Sequence, residues 1–186
     1  GGVFTVVVSW FAERTCVGGE TGGNADAGDS QDCYNADRTA AATALVNWVG
    51  TDPTSSSDDD FLIMGNLNAY GQEDPVYTLT NSGGYIDLMT RLLDAQRYTY
   101  NAGADGLGYM NHALASPTMN VLSTSFGVWN INADEPLDLL DYNTENKPAS
   151  LQALGAGNVY ASSPFNPVLV GIDITPNNAP VLAGNA

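Results

Sequence analysis

Positive charge is nearly missing from this chain. Five Lys and Arg residues stand against 21 Asp and Glu in 186 residues, a formal net charge of −16, and Lys147 is the only lysine. That excludes the basic footprint by which nucleic-acid-binding domains usually neutralise phosphates. A polyanion would be repelled at long range unless divalent cations bridged it. Most of this acidity reads as solubility in a salty or calcium-rich medium. Histidine is scarce as well, with His112 alone in the sequence. No apolar run approaches the roughly 18 residues that cross a bilayer, so a membrane span is not expected. No internal repeat is present, which removes solenoid architectures. Cysteine occurs only at Cys16 and Cys33. Two cysteines flanking a Gly- and Asp-rich loop suit a disulfide better than a metal site, which wants a fuller ligand set. A disulfide implies an oxidising compartment outside the cytoplasm.

What is present organises around Phe61-Leu62-Ile63-Met64-Gly65-Asn66-Leu67-Asn68-Ala69-Tyr70. Four apolar residues predict a short buried strand, and Gly65 is expected to break it. Chemistry in α/β sheets collects beyond the carboxyl ends of strands. Asn66 and Asn68 are two apart and point the same way if strand geometry persists. The competing reading is a strand running into a plain Asn/Gly turn.

Around this stretch the chain reads as mixed α/β. A strand is predicted over 3–8, ending at Ser9-Trp10-Phe11. Because Gly1-Gly2-Val3 leads into it at once, the chain is expected to be a piece of something longer. Asn35 or Asp37 is expected to cap a helix to Val49, with Ala41, Leu45, Trp48 and Val49 as its apolar stripe. Glu73-Asp74-Pro75 opens a second helix that Gly83-Gly84 ends. Ile86, Leu88, Met89, Leu92 and Leu93 suggest a further short helix. Extended segments follow at 98–100, 109–116, 125–131 and 167–174, with an acidic loop from Asp134 to Asn143. Residues 175–186 read as a linker toward a following module. In the loop at 16–35, Asp26, Asp29 and Asp32 are a possible calcium loop. Their spacing matches no EF-hand, and a solvated loop is the preferred reading.

Four phrases taken together carry a resemblance. They are Gly65–Tyr70 with Glu73-Asp74-Pro75; Asn111-His112-Ala113-Leu114-Ala115-Ser116; Trp129–Pro136 with Asp141–Glu145; and Tyr160–Ile172. In order and spacing the chain resembles the large secreted bacterial nucleases of the endonuclease/exonuclease/phosphatase superfamily, whose fold is like that of pancreatic deoxyribonuclease. The resemblance covers most of residues 3–174. It implies a four-layer α/β/β/α sandwich, two packed and mainly antiparallel β-sheets flanked by helices. Residues 1–174 would be the C-terminal part of that domain, its N-terminal part, with an early metal-binding Glu, lying before Gly1. It further implies extracellular phosphodiester hydrolysis of DNA or RNA with Mg²⁺ or Mn²⁺, and sometimes Ca²⁺.

The chain departs from the family pattern where the chemistry would be. Gly-Asp-Leu-Asn is here Gly65-Asn66-Leu67-Asn68. The Asp before His-Ala-Leu-Ala-Ser is Asn111. Ser-Asp-His-Asp-Pro is Ser163-Pro164-Phe165-Asn166-Pro167. The first strand's Asn-His-Leu-Lys is Ser9-Trp10-Phe11-Ala12. His112 lies beside the motif's Asp and is not the family's catalytic histidine. An amide at a carboxylate position removes a full negative charge from a cation site. Loss of one general acid or base alone lowers rates by about 10²–10⁴. The family-site positions are therefore Trp10, Asn66, Asn68, Asn111 and Phe165, with Asn66 and Asn166 as the nominal metal positions, and all should converge at one mouth. The expected function is a non-catalytic extracellular structural or binding module, of which a filament or surface-layer subunit is one form. The alternative is an active Mg²⁺-dependent extracellular deoxyribonuclease whose Asp and His positions are misread as Asn and Phe, with DNA as its partner. A different phosphoesterase of the same fold is a third reading, which the secreted-nuclease phrases disfavour.

Overall fold

The structure is a computed structural model that describes residues 2–101, 103, 106–134, 148–152 and 163–174. The acidic stretch 135–143 and the linker 175–186 lie outside the described residues.

A four-stranded sheet holds the centre, in the order β1, β2, β6, β3. Strand β1 (Thr5–Trp10) runs parallel to β2 (Phe61–Asn66), and β6 (Asn111–Ala115) pairs antiparallel with both β2 and the short β3 (Ile86–Asp87). Strand β2 is apolar on both faces because both are covered. Phe61 and Ile63 enter one core, with Val7, Leu114 and the helical residues Ala42, Val49, Val76 and Leu79. Leu62 enters a second core with Ala113, Ala115 and Met119, against which Phe126, Val168 and Val170 pack. The last three come from an antiparallel pair, β7 (Ser123–Val128) and β8 (Val168–Ile172). A small hairpin, β4 (Tyr100–Asn101) with β5 (Leu107–Gly108), makes a third sheet. The protein is thus mixed α/β with several small sheets and few helices. A second helical layer is not seen among the described residues.

Gly65 does not end β2 as expected. The strand runs through it to Asn66, with Gly65 at φ +139°. A Cβ there would lie 2.0 Å from the Ser9 carbonyl oxygen, so the glycine permits a close approach of β1 rather than a turn.

Helix α1 (Asn35–Val49) begins where the sequence suggests but is not capped by Asn35 or Asp37. Tyr34 occupies the cap in left-handed conformation, and the Asn24 side chain accepts the Asp37 N–H at 3.0 Å. The inward face carries Arg38, Ala42 and Val49, whereas Trp48 is exposed. Helix α2 (Asp74–Tyr77) starts with Pro75 in its first turn and continues into a wide turn over Thr78–Ser82. The helix expected across Ile86–Leu93 is instead β3 followed by a tight 3-10 turn, Leu88–Arg91. Asp87 accepts the Met89 N–H at 3.0 Å and starts that turn, and extended backbone at Leu92 stops it. Helix α3 (Pro117–Leu122) was not anticipated. Ser116 caps it by accepting the Met119 N–H, and Pro117 fits the first turn. A last short helix, α4, spans Ala149–Gln152.

The disulfide expected between Cys16 and Cys33 is formed. No helix among the described residues is long and apolar enough to cross a membrane.

Candidate functional site

Strand register brings three of the expected positions together. Trp10 pairs with Asn66, and Asn66 pairs with Asn111, so they lie in line across β1, β2 and β6. The segment before β8 reaches the same region through an isolated bridge between Phe165 and Tyr100 and an Asn166 N–H donated to the Thr99 carbonyl at 2.7 Å. The Phe165 and Tyr100 rings meet with centroids 5.4 Å apart. Trp10, Asn68, Pro164 and Phe165 line one cleft of about 1160 Å³.

The amides at these positions are turned to structural use. Asn68 lies at φ +44°, so strand geometry does not persist and the two side chains do not act in parallel. The Asn66 Oδ1 accepts the Asn68 N–H at 2.8 Å, and the Asn68 Nδ2 donates to the Phe11 carbonyl at 2.8 Å. Asn166 is buried, and its Oδ1 accepts N–H groups of Asn132 and Ala133 at 3.0 and 2.9 Å. Its Nδ2 donates to Asn130 at 3.3 Å. The Asn66 Nδ2 and Asn111 Oδ1 are buried without a hydrogen-bond partner among the described residues.

The oxygens of Asn66 and Asn166 already accept hydrogen bonds, and none of the family-site positions carries the carboxylate charge that a divalent cation favours. No group of three or more His, Cys, Asp or Glu that could hold a metal occurs among the described residues. The loop carboxylates Asp26, Asp29 and Asp32 have separate tasks. Asp26 accepts the Gly28 N–H, Asp29 accepts the Gln31 N–H, and Asp32 pairs with Arg14.

His112 is likewise committed to the interior. Its Nε2 donates to the Ala69 carbonyl at 2.9 Å, and Nδ1 lies 3.2 Å from Asp87 Oδ2. Tyr109 packs on the imidazole at 4.9 Å, and burial pushes its phenol well above the usual range.

Arg14 is the site residue that sequence reasoning missed. It stands over the Tyr70 ring at 4.7 Å and reaches two separate stretches of chain, at 30–32 and 70–73. Nε donates to Asp32 at 2.7 Å, Nη2 to the Ser30 carbonyl at 3.0 Å, and Nη1 to Glu73 at the start of α2. Burial works against the Arg14 charge, but Glu73 and Asp32 outweigh it and raise its pKa. The burial penalty falls on Glu73, whose carboxyl is pushed up despite the pull of Arg14. Arg38, fully buried, holds the same loop through the Gln31 and Cys33 carbonyls at 2.6 and 2.7 Å. The available signal was sparse cation usage: Arg14 is one of five cations and lies two residues before Cys16.

Neither the family models nor the curated proteins contain a match to this chain.

Proposed function

We propose that this chain is a non-catalytic extracellular binding or structural module on a scaffold like that of the secreted bacterial nucleases. In this reading the central sheet and the β7–β8 pair are parts of two facing sheets of a sandwich, and partners are other extracellular or self-assembling subunits. The observation that carries it is the use of Asn66 and Asn166, the nominal metal positions, and of the neighbouring Asn68 as internal hydrogen-bonding groups. A hydrolytic site needs preorganised charge at those points. The disulfide fits an oxidising location.

A plasmid-nicking assay with Mg²⁺, Mn²⁺ or Ca²⁺ tests the reading. No cleavage above buffer is expected. Robust metal-dependent cleavage by the chain as written would overturn it and favour the active-deoxyribonuclease alternative.

A further inference from the structure

The cleft beside Trp10 differs in kind from a phosphate site. Its walls include Trp10, Tyr70, Tyr100 and Phe165, and Glu13 and Asp32 supply carboxylates. Trp10 is 68% exposed, an unusual state for a residue whose large ring normally finds cover. Glu13 has no ion-pair partner among the described residues, whereas Asp32 is neutralised by Arg14. The cleft therefore offers aromatic faces together with one uncompensated negative charge.

We infer that this cleft takes a basic, extended peptide segment of a partner protein, with an arginine or lysine head against Trp10 and Glu13. The inference rests on the binding-module reading and names its ligand. Aromatic faces attract ammonium and guanidinium groups, more strongly where a carboxylate stands near. The protein already shows such an arrangement in Arg14 over Tyr70 between two carboxylates. Size selects a chain segment over a single small amine. A cleft of about 1160 Å³ exceeds the roughly 300–1,000 Å³ common for small-molecule pockets. The net charge of −16 steers cations inward and polyanions away. A second copy of this chain is the weaker candidate, with Lys147 as its single lysine. Arg14 and Arg38 are engaged as described, Arg91 donates to the Ser123 and Asn120 carbonyls, and Arg97 to the Leu92 carbonyl, so the described residues have no spare arginine to offer.

The test is fluorescence anisotropy of a labelled, end-blocked peptide of alternating Gly and Arg, at physiological salt. Parallel arms carry the same peptide with citrulline for arginine, a neutral oligosaccharide and a single-stranded oligonucleotide. Trp10→Ala and Glu13→Gln alter exposed groups, and circular dichroism verifies that each folds. A doubly substituted Asp58→Asn, Asp59→Asn protein removes charge outside the cleft.

Binding of the arginine peptide alone is expected, weakened about five-fold by W10A and about three-fold by E13Q. The Asp58/Asp59 variant should bind like the parent. Equal weakening by that variant, equal binding of the citrulline peptide, no binding, or preference for the oligosaccharide or oligonucleotide would each overturn the inference. Nicking activity with peptide binding intact would instead overturn only the non-catalytic reading.

Discussion

The imidazole of His112 is fixed on both sides, by Asp87 Oδ2 3.2 Å from Nδ1 and by the Ala69 carbonyl 2.9 Å from Nε2. The contact ties β6 to β3 and to the segment after β2, and the same Asp87 starts the Leu88–Arg91 turn through its other oxygen. The only histidine of the chain is thus a structural group.

Replacing it tests that role. His112→Phe keeps a ring but removes the imidazole partner of Asp87 Oδ2 and of the Ala69 carbonyl in the interior. We expect a loss of about 3 kcal/mol in urea unfolding. Unchanged stability would show that the imidazole is dispensable to the fold.

Gly65→Ala meets a different obstacle. Its Cβ would collide with the Ser9 carbonyl at a φ of +139°, and backbone rather than a flexible side chain must move. A loss on the order of 3 kcal/mol or more is expected, up to failure to fold. A melting temperature equal to that of the parent would mean that β1 and β2 do not approach as described.

Acid and base should each loosen the disulfide loop. Glu20 accepts the Tyr34 hydroxyl at 2.7 Å and the Val17 and Gly18 N–H groups. The Tyr34 hydrogen bond is the largest of the effects that hold the Glu20 carboxyl below its usual value. A depressed carboxyl pKa contributes stability above the ordinary value near 4.5, lost as pH falls through the folded value. Tyr34 is raised above 10, chiefly by Glu20, so its contribution is present below pH 10 and lost as pH rises through the raised value. In Tyr34→Phe the Glu20 carboxyl should titrate closer to its ordinary value by carbon NMR. An unmoved titration would place the Tyr34 hydroxyl elsewhere.

Much of the scaffold was legible because burial on both faces leaves a direct mark. Phe61–Met64 reads as a continuous apolar run since helices cover one side of β2 and the β7–β8 pair covers the other. Periodicity misled where two structures share one spacing. Ile86–Leu93 has helical spacing, yet Asp87 redirects the backbone into a tight turn. Trp48 shares the helical spacing of the apolar stripe yet is exposed, while the charged Arg38 takes the interior, where backbone carbonyls accept from its guanidinium. Within the site, the convergence of Trp10, Asn66 and Asn111 was an expectation of the family resemblance, and the strand register places them in line. The orientation of Asn68 could not, because its positive φ depends on contacts with Phe11 and Asn66.

The reach of Arg14 has a mechanical consequence. One guanidinium clasps the crosslinked loop, the head of α2 and the Tyr70 ring, so these three share a single anchoring side chain. Loss of that one side chain would therefore release the crosslinked loop from the aromatic wall while leaving the central sheet's own pairing in place.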